Sequence, residues 1–562
     1  MTAASAPTIQ DPLVAPRPLV QLDAPGQRWV KVIDQTRCIG CHACTTACKS
    51  ENEVPLGVSR TYVKAVDVGR FPQVRRAYQV TRCNQCSDAP CVAACPTAAM
   101  FQRLDGIVDF DKAACIGCKA CIAACPYDAI FINPEDHSAE KCNFCAHRID
   151  VGLEPACVVV CPTQAILVGD LNDPASRVAA LVQREPVAVR RPEKETRPNL
   201  FYRGAHQATL DPLAARRPAG STFMWSERVT GDHVVNSGYP AAAGPGDDLA
   251  ASGGWNSSAA AVLAYDVPHA MPWDWRVSLY TWTKGIAAGA YLIPLLFLLS
   301  GGITASSLLW AWGAPVLGGG FLGLTGLLLL WDLEHPRRFI KIFTRPQWRS
   351  WLARGAVVIT AFGVVLAIHF ASSVIGLVGT SGSPRDAWVA GVLAWVGAPI
   401  AMATAVYTAY LFGQAKARDL WQSPLLAVHL AIQALLAGSA VTIVGAAALE
   451  PSAVPTLARW LAAAAAGHLA LIAGEVTVGH PTAHAHLAVH EMTRGRYAGV
   501  FWVGSLLVAL AIGAALALAG ATPLGPPIAG IPGASLAAAC ALGGLLAHEH
   551  AYVQAGQSVP LA

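Results

Sequence analysis

Four groups of cysteines near the N-terminus are the residues of this chain best suited to chemistry. Of the 17 cysteines, 16 form four quartets within the first 161 residues. The first and third quartets read C-x2-C-x2-C-x3-C, the run that binds [4Fe–4S] clusters. The quartets are Cys38, Cys41, Cys44 and Cys48; Cys83, Cys86, Cys91 and Cys95; Cys115, Cys118, Cys121 and Cys125; and Cys142, Cys145, Cys157 and Cys161. Because four thiolates hold one cluster, the sixteen predict four [4Fe–4S] clusters and a protein that carries electrons.

The spacing within the quartets favours iron–sulfur clusters over other uses of cysteine. Three thiolates two residues apart converge on three irons within one tight loop, while the fourth lies on a following turn and ligates the neighbouring cluster. A disulfide scaffold would not repeat this spacing. Structural zinc prefers C-x2-C pairs that are far apart. The remaining cysteine, Cys540, lies in an apolar stretch and is expected to be a small core residue.

The composition divides the 562 residues into two halves of different polarity. The sequence is too long for one domain, and its net charge of +4 gives no electrostatic support for nucleic-acid binding. We expect an N-terminal extension (1–27), a four-cluster domain (28–180), a linker or strap rich in Pro, Gly, Ala and charge (181–271), and a membrane domain (272–562). Residues 1–30 lack an apolar core and a twin-arginine pair, so no signal peptide is predicted, although a partner could carry the export signal.

Long apolar runs in the second half predict eight membrane-spanning helices. A span needs about 20 apolar residues to cross the hydrocarbon layer. Runs of this kind lie at about 284–305, 308–331, 353–378, 387–413, 424–449, 457–478, 498–520 and 528–550. Buried helices of a soluble protein are the alternative for any single run. Eight runs in succession, with charges confined to the joints, favour a membrane bundle.

The distribution of basic residues between the loops predicts an orientation in the inner membrane. Because eight spans are an even number, both ends of the membrane domain lie on the side of the iron–sulfur domain. The short loops on that side carry ten basic residues: Arg337, Arg338, Lys341, Arg345, Arg349, Arg354, Lys416, Arg418, Arg494 and Arg496. The opposite loops carry only Arg385 and Arg459. The positive-inside rule then places the iron–sulfur domain in the cytoplasm. The alternative is a basic face that docks an acidic partner.

The cysteine-rich region, roughly residues 28–170, resembles the electron-transfer subunits of the complex iron–sulfur molybdoenzymes, which include dimethyl sulfoxide reductase, polysulfide reductase and membrane formate dehydrogenase. In that family the first quartet pairs with the fourth and the second with the third. The resemblance therefore implies four ligand sets: Cys38, Cys41, Cys44 and Cys161; Cys142, Cys145, Cys157 and Cys48; Cys83, Cys86, Cys91 and Cys125; and Cys115, Cys118, Cys121 and Cys95. The third quartet is complete here, so four [4Fe–4S] clusters are expected.

The apolar half resembles the eight-helix membrane anchor of the polysulfide reductase (NrfD) type. Three segments carry the resemblance: 282–291 at the first span, 332–338 with Ser350, Trp351 and Gly355 after the second, and Glu475 with 495–502 around the sixth and seventh. Relatives usually have two chains where this one is fused, and such anchors bind quinone without haem. The two resemblances imply an α+β, tandem bacterial-ferredoxin-like iron–sulfur domain followed by an all-α bundle of eight transmembrane helices.

Five titratable residues near span ends are candidates for a quinone and proton site on the iron–sulfur side: Lys284, Asp332, His335, Arg338 and Glu475. Quinone chemistry moves two electrons and two protons, and ionisable groups at a membrane mouth are costly and often functional. Asp332 and Glu475 could relay protons, while Lys284 or His335 could hydrogen-bond a quinone carbonyl. The alternative is that these residues form interfacial ion pairs or reach out to lipid headgroups.

Histidines in the apolar half raise the question of haem or another metal. His369, His429, His468, His548 and His550 lie in or near spans, where a facing pair could ligate b-type haem. The eight-span pattern does not resemble the four-helix haem anchors, so haem is not expected, and a lone histidine commonly hydrogen-bonds a neighbouring helix. Four further histidines have partly helical spacing and could bind metal, but a solvated segment at the membrane interface is the favoured interpretation: His480, His484, His486 and His490.

The two halves together predict the electron-transfer and membrane-anchor subunit of a quinone-linked molybdenum or tungsten oxidoreductase. Electrons would pass between a large molybdopterin catalytic subunit and the membrane quinone pool, and the cofactors would carry the redox chemistry. With neither a nucleotide-binding glycine fingerprint nor a pterin-domain-sized region, the chain alone should not turn over the primary substrate. The fused resemblance favours formate dehydrogenase slightly. The alternatives are a subunit of a hydrogenase or other respiratory complex, and a redox-driven proton or ion pump.

Overall fold

The computed structural model describes residues 26–70, 72–216, 261–376, 384–520 and 530–561. Almost all of the expected N-terminal extension, and residues 217–260 of the expected linker, lie outside the described residues. The described chain forms an iron–sulfur half of short strands and helices and a membrane half of long helices. This confirms the predicted fold class.

Two small sheets frame the iron–sulfur half. In the first, β1 (Trp29–Asp34) lies between β8 (Ile166–Asp170), antiparallel, and β10 (Leu200–Arg203), parallel, with β9 (Val187–Ala188) outside β10. In the second, the order is β11 (Val262–Tyr265), β2 (Thr61–Arg70) and β3 (Gln73–Arg82). Two ribbons, β4 (Met100–Gln102) with β5 (Val108–Phe110) and β6 (Ile130–Ile132) with β7 (Ala139–Lys141), complete this half. The central strand β1 is almost wholly buried because it packs on both faces.

Five of the short helices carry cysteines or begin next to them: α1 (Ala43–Glu51), α2 (Pro90–Ala94), α3 (Ala120–Ala124), α4 (Ala146–Ile149) and α5 (Ala156–Val159). The residues before α1, α3 and α4 have left-handed backbones, with φ of 59° at His42, 61° at Lys119 and 55° at Cys145. Such residues turn the chain sharply. Helices α6 (Arg177–Arg184) and α7 (Gln207–Leu210) lie on the two sheets.

Eight helices of the membrane half are long and apolar enough to cross a bilayer. They are α8 (Trp275–Leu299), α9 (Ala314–Asp332), α11 (Trp351–Val374), α12 (Pro384–Gly413), α13 (Leu426–Leu449), α14 (Val454–Thr477), α16 (Ala498–Leu518) and α17 (Gly530–Gln557). A π turn, Leu309–Gly313, leads into α9, and α10 (Lys341–Thr344) and α15 (Ala483–Thr493) lie in connections. The prediction of eight spans is confirmed.

The first and last spans differ from the hydropathy prediction in where they begin and end. Helix α8 begins at Trp275 rather than near 284, because the Asp274 side chain accepts a hydrogen bond from the Arg276 amide (2.8 Å) and caps the helix. Helix α17 continues to Gln557 rather than ending near 550, because its last polar residues are buried against protein. A hydropathy profile treats polar residues as the end of a span, although the neighbouring helices of a bundle can provide their hydrogen-bond partners.

Helices α8 and α13 form the centre of the bundle, and α8 packs against α9, α12, α13 and α17. The closest approach is between Gly289 of α8 and Gly438 of α13. A Cβ on Gly289 would lie 1.9 Å from the Ala434 carbonyl oxygen, so only glycine fits there. Cys540 packs half-buried against the surrounding apolar core.

The described parts of the expected linker are integrated into the fold. Strands β9 and β10 belong to the first sheet and β11 to the second, so this segment behaves as a strap across the iron–sulfur half. Arg190 Nη2 donates to the Leu561 carbonyl (3.0 Å) and Lys194 pairs with Asp419, which ties the strap to the membrane half. Its composition hid these strands because each is only two to four residues long.

Candidate functional site

A small cavity in the iron–sulfur half is lined by Cys38, Cys41 and Cys44 of the first quartet and by Cys161 of the fourth. The loop that carries the first three cysteines turns through Gly40 at φ 69°. Its missing side chain also makes room for the Tyr78 ring, which would lie 2.2 Å from a Cβ there. These four cysteines are called set 1.

A second small cavity combines the second and third quartets in the same way. It is lined by Cys95, Cys115, Cys118 and Cys121, which are called set 4. Gly117, at φ 70°, repeats the turn made by Gly40. Each of the two cavities therefore joins three cysteines of one loop to the last cysteine of another quartet.

The other eight cysteines lie in two further groups with the same composition. Cys48 interacts electrostatically with Cys142, Cys145 and Cys157, and Asn52 Nδ2 lies 3.6 Å and 3.7 Å from the Sγ atoms of Cys48 and Cys145. Cys125 interacts with Cys83, and Cys86 with Cys83, Cys91 and Cys125. We call Cys48, Cys142, Cys145 and Cys157 set 2, and Cys83, Cys86, Cys91 and Cys125 set 3.

The ionisation of these thiols fits a cationic metal group. Burial, together with nearby thiolates, raises the pKa of Cys44 to about 11 and that of Cys48 to about 12. Thiols with such pKa values are protonated at neutral pH, whereas iron binds thiolates, so Cys44 and Cys48 would lose their protons when a metal binds. Backbone amides point at the sulfurs as well: Ala165 N lies 3.2 Å from Cys161 Sγ, and Gly117 N and Ala139 N each lie 3.4 Å from Cys115 Sγ.

One thiol, that of Cys157, is different because two buried cations contact it. Arg82 Nη1 lies 2.9 Å and Lys31 Nζ 3.9 Å from Cys157 Sγ. Burial alone would raise the pKa of Cys157, but Arg82 and then Lys31 lower it to about 7. Two cations therefore lie against one sulfur of set 2.

The four sets follow one another as a line. Cys44 of set 1 interacts electrostatically with Cys157 of set 2, Cys142 of set 2 with Cys83 of set 3, and Cys91 of set 3 with Cys121 of set 4. Cys41, at the set 1 end, is exposed. A series of redox groups in this order would lead from the surface of the iron–sulfur half to set 4.

Set 4 lies directly on the membrane half. Trp273 Nε1 donates to the Cys118 carbonyl (3.2 Å), and the His335 amide donates to the Ile116 carbonyl (3.1 Å). On the neighbouring loop, Ser350 Oγ donates to the Ala94 carbonyl at 2.8 Å. A Cβ on Gly117 would lie 2.3 Å from Glu334 Cβ, so the two halves fit closely here.

Three of the five candidate quinone residues lie at this junction. Arg338 Nη1 donates to the carbonyls of Lys112 (2.9 Å) and Cys115 (3.0 Å). Asp332 is buried 3.7 Å from Lys119 Nζ. His335 is half-buried, and burial and then Arg338 lower its pKa. The Arg338 side chain therefore connects the membrane half to the loop that carries set 4.

The other two candidates lie elsewhere in the membrane half. Lys284 is buried in α8, where its Nζ donates to the Ala405 carbonyl (2.7 Å) and to Thr408 Oγ1 (2.8 Å). Glu475 lies two residues before the end of α14. The structure therefore distributes the five candidates over three places on the side of the iron–sulfur half.

Comparisons with known proteins match both halves. The family described as "Polysulphide reductase, NrfD" matches residues 266–560, which is more than half of the chain. This protein belongs to the NrfD family. In its iron–sulfur half, the family described as "4Fe-4S dicluster domain" matches residues 74–171. This NrfD protein is thus a fusion of an iron–sulfur subunit with a membrane anchor, as predicted.

Relatives of the iron–sulfur half are subunits of reductases. A tetrathionate reductase subunit from Salmonella typhimurium is 44% identical over 209 residues, 36% of this chain and 82% of that protein. A polysulfide reductase polypeptide from Wolinella succinogenes is 40% identical over 178 residues, 31% of this chain and 93% of that protein. The arsenate respiratory reductase iron-sulfur subunit ArrB from Shewanella is 36% identical over 219 residues, 30% of this chain and 94% of that protein. The protein is an electron-transfer iron–sulfur subunit fused to an NrfD-type anchor.

The histidines of the NrfD half separate into one group and several single residues. His429, His468 and His548 meet in the bundle and form a group of three potential metal ligands, the one such group of histidines found among the described residues. His369 packs against Trp310 and Tyr291, and His480 lies 2.9 Å from the Glu475 carbonyl. The sequence did not predict this group, because its three histidines lie on different helices and no sequence pattern reveals how those helices pack.

Proposed function

We propose that this protein carries electrons between a molybdopterin catalytic partner, containing molybdenum or tungsten, and quinone in the inner membrane. The observation that carries the proposal is the line of thiol sets from exposed Cys41 to set 4, which lies on the membrane half. We assign one [4Fe–4S] cluster to each of sets 1 to 4. The set 1 end faces the catalytic partner, and set 4 exchanges electrons with quinone.

The names of the relatives support a substrate class for the partner. Their tetrathionate, polysulfide and arsenate reductases act on inorganic oxyanions or sulfur chains. We therefore propose that the partner reduces an inorganic sulfur compound or oxyanion and that electrons flow from quinol to set 4 and on to set 1. The preference for formate dehydrogenase gains no support from these relatives.

We place the quinone site on the iron–sulfur side of the bundle, between set 4 and Lys284. Asp332 and His335 lie beside the set 4 loop, and Glu475 lies near the end of α14. A quinone here would meet donors and acceptors for two protons within reach of a cluster. In this proposal Arg338 holds the set 4 loop through its main-chain hydrogen bonds.

We also propose a division of the chain and an orientation in the membrane. The proposed parts are an N-terminal extension (1–27), a four-cluster domain (28–180), a strap (181–271) and a membrane domain (272–562). The iron–sulfur half is proposed to face the cytoplasm. Four of the ten basic loop residues donate to main-chain carbonyls and are explained by local contacts: Arg338, Lys341, Arg354 and Arg418. The other six still outnumber the two on the opposite side.

The test is to purify the protein gently from detergent-solubilised membranes and to identify its companions by mass spectrometry and metal analysis. The proposal predicts a large partner with molybdenum or tungsten, and close to sixteen irons on this chain. A partner that contains nickel and iron would instead support the alternative that this protein is a hydrogenase subunit. Cysteine labelling of the loops in intact cells would test the orientation, because only loops on the outer side react with an impermeant reagent.

Ion translocation is a second candidate because two ionisable side chains of opposite type are buried together in the bundle. Lys284 and Glu549 are both buried and interact electrostatically. Ionisable groups inside a membrane bundle are costly and often serve proton paths. Proteoliposomes that contain the purified complex would distinguish the two candidates, since a pump acidifies one compartment by more protons than quinone chemistry releases.

A further inference from the structure

Three histidines from three different membrane helices meet inside the bundle. His429 lies on α13, His468 on α14 and His548 on α17, and all three are buried. One ring nitrogen of each lies within 4.8 Å of one from each of the others. His429 Nε2 and His468 Nδ1 are 2.8 Å apart, and the ring centre of His548 lies 5.2 Å from that of His429 and 4.8 Å from that of His468.

The ring nitrogens of this group are not fully used by the protein. His468 Nε2 and His548 Nδ1 are buried and have no hydrogen-bond partner within the described parts of the chain. A buried polar atom without a partner costs free energy, and in a membrane bundle water does not relieve that cost. Two ring nitrogens of the group are therefore available to another ligand.

We propose that His429, His468 and His548 bind one first-row transition-metal ion of the copper or zinc class. Imidazole nitrogen is a preferred ligand of these ions, whereas magnesium and calcium need oxygen ligands. Metal–nitrogen distances of about 2.0–2.1 Å place tetrahedral ligand nitrogens about 3.3 Å apart. When the ion binds, the 2.8 Å pair opens by about 0.5 Å, and the third nitrogen, which lies within 4.8 Å of the other two, moves in by up to about 1.5 Å. Three ligands leave a fourth position open.

The close packing of the rings favours a bare ion over haem. Two axial histidines of a haem lie on opposite sides of a porphyrin plane, and here His429 and His468 touch directly through their nitrogens. The third ring, His548, packs against both. The space between the three rings suits an ion, whereas a macrocycle would have to separate α13, α14 and α17.

The charge around the site narrows the choice of ion. Three neutral imidazoles bring no negative charge, and Glu549, the carboxylate that follows His548, already interacts with Lys284 and Thr281. The cost of holding a bare charge in an apolar bundle rises with the square of the charge. A copper(I) ion therefore fits these surroundings better than a dication, and zinc is the second choice.

The position of the site links it to the iron–sulfur side. His429 is the fourth residue of α13, and His468 and His548 each lie nine residues before the ends of α14 and α17. At 1.5 Å per residue, the three lie roughly 5–14 Å below the helix ends that face the iron–sulfur half. An ion there would hold α13, α14 and α17 together on that side of the bundle.

The test is elemental analysis of the full chain, purified with its companions and without chelators. We expect about one equivalent of copper or zinc per polypeptide in addition to the cluster iron. The metal's X-ray absorption spectrum should contain a shell of about three imidazole nitrogens near 2.0 Å. His468→Asn should lose the ion with its iron content unchanged. The matched control His369→Asn, which removes another buried histidine of the bundle, should keep it.

Two results would overturn the proposal. One is a wild-type protein that holds less than about a tenth of an equivalent of either metal and takes up neither copper(I) nor zinc when these are supplied in excess. The other is a bound metal that survives both His468→Asn and His548→Asn or shows no imidazole shell. If His468→Asn also loses iron, the wild-type absorption spectrum decides alone, because it needs no variant.

Discussion

Arg82 is expected to raise the reduction potential of the cluster in set 2. Its guanidinium is fully buried, donates to Cys157 Sγ at 2.9 Å and also interacts electrostatically with Cys142 and Cys44. Reduction adds an electron to a cluster, so a nearby positive charge stabilises the reduced form. Replacing Arg82 with methionine removes the charge while filling a similar volume, and the set 2 potential should fall.

The size of this effect follows from the distance. A unit charge about 5 Å from the centre of a cluster contributes ~3 kcal/mol at an effective dielectric constant of about 20. For a one-electron couple, each tenfold change in equilibrium is ~59 mV, so the upper limit is ~140 mV. Lys31 Nζ lies 3.9 Å from the same sulfur, and its charge remains in the variant and compensates in part for the loss of Arg82. We expect a decrease of about 50–140 mV in set 2 and a smaller one in set 1.

The assay is a redox titration of the purified full chain followed by electron paramagnetic resonance. Iron analysis first establishes that Arg82→Met keeps its clusters. Arg82→Lys is the matched control, because it keeps the charge and should shift the potential by less than half as much. Four unchanged potentials in Arg82→Met would refute the placement of this charge beside a cluster, as would an equal shift in both variants.

Four further predictions test other parts of the molecule. Cys48→Ser should lose or alter one cluster without preventing membrane insertion, and an unchanged iron and sulfide content would remove Cys48 from set 2. Glu475→Gln should slow quinone turnover severalfold while the catalytic partner still reduces the clusters, and unchanged quinone kinetics would exclude Glu475 from the site. Burial alone would lower the pKa of His269, but Asp266 and Asp128 raise it to about 9. Because this exceeds the unfolded value of about 6.5, up to ~3 kcal/mol of folding stability is present below pH 6.5 and is lost as pH rises through 9. Hydrogen exchange around His269 should therefore accelerate with pH more steeply in wild type than in His269→Gln. Gly289→Ala should destabilise the bundle by about 1–3 kcal/mol, because its Cβ would meet Ala434 O at 1.9 Å, whereas Gly285→Ala has open space; equal melting temperatures in detergent would contradict the close crossing.

The sequence predicted the two-part architecture well because both signals are strong and local. Cysteine spacing depends on the geometry of one loop, and a membrane span depends on the length of one apolar run. The strap was harder. Strands β9, β10 and β11 are two to four residues long, and what makes them strands is a partner far away in sequence, such as β1 for β10. Composition cannot reveal such pairing.

The candidate membrane residues show the limit of prediction more clearly. Hydropathy places Lys284 and Arg338 on the same side of the bilayer but does not give the direction in which each side chain points. Lys284 turns into the bundle and bonds α12, while Arg338 turns out and bonds the set 4 loop. The histidine group was hidden for the same reason, since His429, His468 and His548 come together only when α13, α14 and α17 pack.

The contacts at set 4 explain why an anchor of this family suits an iron–sulfur partner. Tight cluster-binding turns leave main-chain carbonyls without partners in their own loop, and those of Cys115, Ile116 and Cys118 are satisfied from the membrane half. Because carbonyls are part of the backbone, these contacts depend on the shape of the loop, and the Lys119 side chain adds ion pairs with Asp332 and Glu334. The glycine at 117, which the turn requires, also leaves the space that Glu334 occupies. The geometry that holds a cluster is therefore the same geometry that fixes its position over the bundle.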